Sequence, residues 1–178
     1  MITDRVRATG FRQSAAAMVL LLGTMGTVGT ALLFQYVGGY IPCALCLAQR
    51  TPYYIAIPVA LAAAIAAAGR ASPVLVRGLL LVLGGLMLWS LYLAVFHAGV
   101  EWGFWPGPAE CAGGGGADLS AGNLLATIDA VHAPSCDEAA GRFLGLSFAG
   151  WNAIASAIFA SVALGAAIAK SDRHARIR

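Results

Sequence analysis

Four long stretches of this chain contain no Asp, Glu, Lys or Arg, and they limit the possible folds more than any other feature. The stretches are Gln13–Gln49 (37 residues), Thr51–Gly69 (19), Gly78–Val100 (23) and Phe143–Ala169 (27). A helix needs about 20 apolar residues to cross the hydrocarbon core of a bilayer. The pattern therefore predicts four transmembrane helices, over about residues 15–36, 51–68, 79–96 and 148–169.

The composition agrees with a membrane protein and excludes several other classes. Of the 178 residues, 60% are hydrophobic and 11% are charged, whereas a soluble domain carries about 25% charged residues. An ordinary soluble domain or a disordered chain is excluded on this ground, and a net charge of +3 is too small for a nucleic-acid-binding protein. We predict an all-α, four-helix membrane bundle that forms one domain over residues 1–178, embedded in the lipid bilayer.

The first predicted span resembles a signal peptide at its start, because Arg5, Arg7 and Arg12 precede an apolar segment. That segment continues to Phe34 without a small-residue cleavage site followed by polar chain. A signal peptide has an apolar core of only about 7–15 residues. We therefore expect the first span to be retained.

Basic residues predict the orientation, since Lys and Arg concentrate in the cytoplasmic segments of membrane proteins. Nine of them fall on one side of the predicted bundle, namely Arg5, Arg7, Arg12, Arg70, Arg77, Lys170, Arg173, Arg176 and Arg178. Arg50 and Arg142 fall on the other side. Both termini are thus predicted to be cytoplasmic, and the loops over about 37–50 and 97–147 to lie outside, the longer one between the third and fourth helices.

All four cysteines of the chain fall in the two outer loops: Cys43, Cys46, Cys111 and Cys136. Disulfides form and persist in oxidising compartments outside the cytoplasm. Two pairs of cysteines in one such compartment predict two disulfides.

The first pair forms a Cys-x-x-Cys motif where the second helix is predicted to begin. If Cys43 opens that helix, Cys46 lies one turn further on and Arg50 lies on the same face as Cys46. The helix N-terminus and the guanidinium group would both favour a thiolate on Cys46. Arg50 has a second interpretation, in which its side chain reaches towards lipid headgroups.

The second pair, Cys111 and Cys136, lies in a loop with a glycine tract at Gly113–Gly116 and several prolines. A flexible flank suits a disulfide that must reach a partner, although a purely structural disulfide is the alternative. A zinc site built from all four cysteines would lack the usual second short pair, and we predict no metal.

Other residues support weaker hypotheses. His97 ends the third span on the outer side, where it could contact a bound molecule, carry a proton or have no chemical role. The segment Ser120–Val131 is predicted to be a short amphipathic helix, either on the membrane surface or packed on its own loop. Gly23, Gly26 and Gly29 are predicted to allow close helix packing.

Taken together, these features resemble the disulfide bond formation protein B (DsbB) family. The resemblance is carried by the four spans, the sequence Pro42-Cys43-Ala44-Leu45-Cys46 with Gln49-Arg50 behind it, the Cys111/Cys136 pair, and the run Phe143-Leu144-Gly145-Leu146 leading to Trp151. It extends over roughly residues 15–170.

The resemblance implies a disulfide-generating protein-dithiol:quinone oxidoreductase in the bacterial inner membrane, with its redox loops in the periplasm. A DsbA-like thioredoxin-fold dithiol oxidase would attack Cys111–Cys136, with Cys111 forming the mixed disulfide. Cys136 would then attack Cys43, and Cys46 would pass electrons to a quinone, ubiquinone or alternatively menaquinone. Arg50 would stabilise the Cys46 thiolate and the charge on the quinone oxygen, and His97 would neighbour the quinone.

Two other functions compete with this hypothesis. A reductase similar to vitamin K epoxide reductase uses comparable parts, but in that family the loop pair precedes the Cys-x-x-Cys motif in the chain. A membrane scaffold with two structural disulfides would not need Arg50 beside Cys46, and its disulfides should resist mild reductants.

Overall fold

The computed structural model describes residues 10–111 and 135–169. The hypothesis about Ser120–Val131 and many of the basic residues used for orientation lie outside these described residues. Four long helices dominate the described part: α1 (Phe11–Tyr36), α2 (Ala44–Ala68), α3 (Pro73–Glu101) and α4 (Phe148–Ile168). All four are long and apolar enough to cross a membrane.

Each helix packs on the next one along the chain, and α4 closes the bundle by packing on both α3 and α1. The C-termini of α1 and α3 and the N-termini of α2 and α4 lie together, at what we call the cysteine end. At the opposite end, Gln13 and Arg77 donate hydrogen bonds to the last carbonyl groups of α4, including that of Ala169. These bonds satisfy acceptors that the end of a helix leaves free.

Small residues fill the centre of the bundle, where alanines of α2 and α4 pack against leucines of α1 and α3. Gly23 faces the ring of Phe159 so closely that an added Cβ would lie 2.6 Å from it. The packing prediction is confirmed for Gly23. Gly26 and Gly29 have no such neighbour within 4 Å, and Gly26 borders a cavity instead.

Serine caps define two of the helix starts. The Ser72 hydroxyl accepts from the backbone N–H of Leu75 at 3.4 Å, and Pro73 begins α3. The Ser147 hydroxyl accepts from the N–H of Gly150 at 3.2 Å at the start of α4. Such caps satisfy amide groups that have no partner inside the helix.

The helices differ in extent from the predicted spans. α2 begins at Ala44, so the connection after α1 is shorter than the predicted loop over 37–50, and Cys46 and Arg50 are already helical. α3 extends beyond 79–96 at both ends and includes Glu101.

A small β-hairpin, which we did not predict, precedes α4. Its strands β1 (Arg142–Phe143) and β2 (Leu146–Ser147) pair antiparallel. The two turn residues, Leu144 and Gly145, both have positive φ angles, 52° and 80°. This is the two-residue hairpin loop in which glycine is favoured.

Candidate functional site

Cys43 is the N-cap residue of α2, and its position explains much of the site. Its backbone is extended, and its Sγ accepts a hydrogen bond from the backbone N–H of Cys46 at 3.3 Å. The two sulfur atoms lie 3.0 Å apart as free thiols. Of the two disulfides predicted, the structure therefore contains the loop disulfide, while the helix pair is reduced.

The cap position favours a thiolate on Cys43. The hydrogen bond from the Cys46 thiol has the largest effect, and those from His97 and the Cys46 backbone act in the same direction, against the effect of burial. Together they lower the pKa of the Cys43 thiol from 9.0 to about 4. We had expected the helix N-terminus to favour the thiolate on Cys46. The cap geometry instead directs the backbone N–H of Cys46 at Cys43.

His97 lies against this sulfur, deep in the bundle, where it is 2% exposed. Its Nε2 atom is 3.6 Å from Cys43 Sγ and 3.7 Å from Oε1 of Glu101, one turn later on α3. Its Nδ1 atom is 2.6 Å from the amide nitrogen of Gln49 on α2. Two helices thus fix the orientation of the imidazole ring.

The Gln49 amide is held in turn by its own surroundings. Its nitrogen also donates to the carbonyl oxygen of Leu45 at 3.3 Å, and its oxygen accepts from the amide nitrogen of Asn152 on α4 at 2.6 Å. Asn152 Oδ1 accepts from the Tyr53 hydroxyl at 2.8 Å. Gln49 is therefore the junction between His97 and a buried polar chain.

That chain continues towards the centre of the bundle through hydroxyl groups. The Tyr53 hydroxyl lies 2.9 Å from Ser156 Oγ, which lies 2.9 Å from Ser90 Oγ. Buried polar groups cost free energy unless they are hydrogen-bonded. The chain satisfies each of these hydroxyls while linking three helices to the cysteine end.

Arg50 lies one helical turn after Cys46 and reaches across to α1, where its Nη1 donates to Oε1 of Gln35 at 2.5 Å. Gln35 thereby holds the guanidinium group within the bundle. Both side chains border the same cavity as Cys46.

This cavity has a volume of about 490 Å³ and opens on the bundle surface between α1, α2 and α4. Its lining is mostly apolar, with the polar residues Gln35, Gln49, Arg50, His97 and Asn152. A mostly apolar cleft of this size with a few convergent polar groups is typical of a small-molecule site.

The loop pair is oxidised in the structure and lies close to the helix pair. Cys111 and Cys136 form a disulfide with their Cα atoms 5.1 Å apart. Both are buried, and they pack in one hydrophobic cluster with Cys43, Leu45 and Val100. Cys46 lies at the border of this cluster, so the two pairs are neighbours.

The chain matches the family model described as "Disulfide bond formation protein DsbB" over residues 13–166. The chain belongs to the DsbB family. The match covers all four helices except the first two residues of α1 and the last two of α4. Comparisons with curated proteins and with solved structures found no match.

Membership of the DsbB family implies a disulfide-forming thiol oxidase that works with a quinone. It also implies, with the four apolar helices, a multi-pass protein of the inner membrane. The resemblance noted from the sequence is thereby confirmed at the level of the family.

The predicted site residues lie around the start of α2 and along the cavity in this DsbB-family structure. Cys43, Cys46 and His97 meet at the cysteine end, and the loop disulfide shares a buried cluster with Cys43. Arg50 and Cys46 line the cavity together. His97 borders the cavity too, and its ring nitrogens contact Cys43, Gln49 and Glu101.

Three side chains that support the site were not singled out from the sequence, namely Gln35, Glu101 and Asn152, and Gln49 was named only as part of the motif, without a role. Each is a polar residue at or near the outer end of an otherwise apolar helix, and polar residues there often have a function. That signal was present in the sequence, although it does not say which residues meet.

Proposed function

We propose that the enzyme reoxidises a DsbA-like, thioredoxin-fold dithiol protein and transfers its electrons to a membrane quinone. The presence of the loop disulfide and Cys43 in one buried cluster, with Cys46 on the wall of the cavity, carries this proposal. Such an arrangement provides a short route from a loop that can meet a soluble partner to a cleft that opens towards lipid.

The proposed topology places the cysteine end in the periplasm. It rests on the count of nine basic residues against two on the two sides of the predicted bundle. An oxidising periplasm on that side would allow the cysteine pairs to cycle through disulfides.

In the first proposed step, a thiolate of the partner attacks Cys111 and forms a mixed disulfide, releasing Cys136 as a thiolate. The second thiol of the partner then resolves the mixed disulfide, so that the partner leaves oxidised and Cys111 and Cys136 are both reduced. Two electrons have moved from the partner to the loop pair. A thiolate leaves readily when its pKa is low.

In the second proposed step, Cys136 attacks Cys43 in the oxidised helix pair, and Cys46 leaves as a thiolate. Cys111 then displaces Cys43, which restores the loop disulfide and leaves Cys43 and Cys46 reduced. The position of Cys43 as the cap favours its departure, because it can leave as a stabilised thiolate. The loop pair is then ready for another partner molecule.

The cavity is the proposed quinone site, and its residues fit such a ligand. Apolar side chains of α1, α2 and α4 suit a ring and the start of an isoprenoid chain, and Arg50, held by Gln35, places a cation beside Cys46. A bound quinone would accept two electrons and two protons as the Cys43–Cys46 disulfide re-forms. A fixed cation in a dry site stabilises developing negative charge on an oxygen atom.

His97 is proposed to stabilise the thiolate form of Cys43 by a hydrogen bond from Nε2. Its Nδ1 atom accepts from the Gln49 amide nitrogen, which also donates to the Leu45 carbonyl. The proton of His97 is therefore on Nε2, facing Cys43 and Glu101. This role places His97 beside the helix pair rather than in direct contact with the quinone ring.

The proposal is tested with the purified full chain in detergent, without oxygen, by mixing it with a reduced thioredoxin-fold dithiol oxidase. We expect catalytic loss of the oxidised-quinone absorbance, with ubiquinone and menaquinone analogues compared at equal concentration. An unchanged quinone, with both pairs retaining their starting redox state, would contradict the proposal and favour a scaffold with structural disulfides.

A further inference from the structure

Cys43, Cys46 and His97 present three metal-ligating atoms that all lie within 4.8 Å of one another. Two are thiols and one is an imidazole nitrogen, a donor set that suits soft d¹⁰ cations such as Zn²⁺ or Cu⁺. We propose that the reduced Cys43–Cys46 pair and His97 form a binding site for a thiophilic metal ion, which blocks reoxidation of the pair. Binding of the ion is independent of the quinone chemistry, whereas the inhibition rests on the proposed function.

The spacing of the donor atoms is close to what tetrahedral zinc requires. Zinc–sulfur bonds of about 2.3 Å and zinc–nitrogen bonds of about 2.0 Å place a sulfur and a nitrogen ligand about 3.5 Å apart, and two sulfurs about 3.8 Å apart. Cys43 Sγ and His97 Nε2 are 3.6 Å apart, and the two sulfurs are 3.0 Å apart. A side-chain rotation of Cys46 that moves the two sulfurs further apart, by an additional distance of less than about 1 Å, would complete the geometry.

Glu101 provides a second observation that points to a cation. Its side chain is 3% exposed, its Oε1 lies 3.7 Å from His97 Nε2, and its Oε2 has no hydrogen-bond partner. A buried carboxylate oxygen without a partner is costly. We assign Glu101 as the fourth ligand, reached by rotation of its side chain.

The charges at the site also balance when the ion is divalent. Two thiolates and the Glu101 carboxylate carry three negative charges, and Arg50 with the ion carries three positive ones. Each thiol that becomes a ligand releases its proton to solvent, and no electron moves. In the oxidised pair both sulfurs are in a disulfide and offer no thiolate, so the site exists only in the reduced enzyme.

The Gln49 amide must turn for His97 to ligate through Nε2, because a neutral histidine then carries its proton on Nδ1. The turn breaks the hydrogen bond from the Gln49 nitrogen to the Leu45 carbonyl, and the metal–ligand bonds must offset this loss. A metal-bound histidine donates that proton to an outer acceptor, and Gln49 Oε1 would fill this role once the amide has turned. The neighbouring amide of Asn152 can turn with it, since the Tyr53 hydroxyl can accept as well as donate. A substitution of Gln49 that provides a permanent acceptor for Nδ1 should therefore raise the metal affinity, which it would not do if Gln49 had only a structural role.

The binding test uses the full chain with Cys111→Ser and Cys136→Ser, reduced and freed of reductant, and titrated with Co²⁺ as a spectroscopic probe for zinc. We expect one ion per chain with thiolate-to-metal charge-transfer bands and tetrahedral ligand-field bands. His97→Ala should weaken binding at least about tenfold, and Gln49→Glu, which supplies a permanent acceptor for Nδ1, should strengthen it about tenfold. His174→Ala removes a histidine of the C-terminal segment predicted to lie on the opposite side of the bundle; it is the matched control and should not change the affinity.

Several outcomes would overturn the proposal. One is the absence of charge-transfer bands in the reduced chain, and another is an affinity that stays the same in His97→Ala. If the serine variants do not fold, the same titration is made on fully reduced wild type, where His97→Ala must remove the tetrahedral spectrum of one ion.

The inhibition test adds Zn²⁺ to the wild-type enzyme during quinone reduction. We expect turnover to stop as the reduced pair binds the ion, and to recover when a chelator is added. Turnover that continues at Zn²⁺ concentrations that saturate the site would contradict inhibition. The metal-free assay is run first, so that a lack of quinone reduction is distinguished from a lack of metal binding.

Discussion

The two cysteine pairs of this DsbB-family enzyme are neighbours, yet they are held in different ways. Cys43 and Cys46 begin a transmembrane-length helix, and a histidine of α3 contacts Cys43. Cys111 ends a three-residue 3₁₀ helix, and Cys136 lies in irregular chain. The pair next to the cavity is thus positioned by long helices, and the pair proposed to meet the protein partner is positioned by short connecting segments.

This difference indicates that the helix pair is held more rigidly than the loop pair, and that the two pairs have different roles. A site built on helices holds reacting groups more precisely than one built on loops. Binding residues, by contrast, are often found on loops that a rigid scaffold positions. The predictions below test whether the two pairs differ in this way.

The largest effects should come from disabling each cysteine pair in turn. Cys46→Ser should lower quinone reduction by about 10³-fold or more with every electron donor, since it removes the group proposed to react next to the cavity. Cys111→Ser with Cys136→Ser should abolish turnover with a protein dithiol but retain turnover with a small dithiol that can reach the helix pair. Anaerobic quinone absorbance measures both rates. Equal losses with both donors in the loop variant would remove the proposed division between the pairs.

The next effect concerns the cation beside the helix pair. Arg50→Ala should lower quinone reduction about 10²-fold, because loss of one preorganised charge-stabilising group has this magnitude. Arg50→Lys should restore part of the rate, since the charge remains but the planar geometry that suits Gln35 is lost. Arg142→Ala removes an arginine of the hairpin and is the control.

Exchange between the loop pair and the protein dithiol should stay at the wild-type rate in Arg50→Ala when a single turnover is followed by thiol trapping. A parallel loss at both steps would show that Arg50 supports the fold of the whole cysteine end rather than the helix pair.

The same comparison shows how much the sequence could predict. The helices and the position of the first pair at a helix start follow from local hydropathy and from the motif itself, and these signals extend over adjacent residues. The contacts of His97 with Cys43 and of Asn152 with Gln49 join residues far apart in the chain. Such contacts depend on which helices pack together and at what rotation, and hydropathy leaves the rotation of an evenly apolar helix open.

The choice of which cysteine is stabilised as a thiolate is one example of what the sequence leaves open. The sequence correctly suggests that the helix N-terminus activates a sulfur, but the choice between the two cysteines depends on the exact cap residue. The two cysteines are three residues apart, so the position of the helix start decides which of them is the cap residue, and helix starts are the least certain part of a sequence-based prediction. The three-dimensional structure is needed to see that the N–H of Cys46 is directed at Cys43.

The lowered pKa of Cys43 predicts that the two pairs differ in the pH dependence of their reduction potentials. The pKa of Cys43 falls from 9.0 to about 4, so Cys43 is a thiolate between about pH 5 and 8. Reduction of the helix pair in this pH range therefore takes up two electrons and one proton. Its potential should fall by about 30 mV per pH unit. The loop pair, if its thiols are ordinary, takes up two protons and should fall by about 59 mV per pH unit.

The direction of this pH dependence follows from the thiolate form of Cys43. Compared with a thiol of ordinary pKa, the lowered pKa of Cys43 stabilises the reduced helix pair fully above pH 9.0. This stabilisation is lost progressively as the pH falls towards about 4. Each pair is measured alone, in the chain that lacks the other, by equilibration with thiol redox buffers between about pH 5 and 8. Identical slopes for the two pairs would contradict the thiolate assignment.

The smallest effect concerns how far the support of the helix pair extends into the bundle. Tyr53→Phe removes a hydroxyl that lies 2.8 Å from Asn152 Oδ1 and 2.9 Å from Ser156 Oγ, and its loss should lower stability by about 1 kcal/mol. The His97 ring should keep its orientation, because Gln49 remains bonded to Leu45 and Asn152. Quinone reduction should therefore change less than about threefold, whereas the thermal midpoint of the enzyme in detergent should fall measurably. A loss of turnover as large as that of Arg50→Ala would mean that the hydroxyl chain takes part in the reaction itself, and that the rigid support of the first pair reaches from the cysteine end to the centre of the membrane.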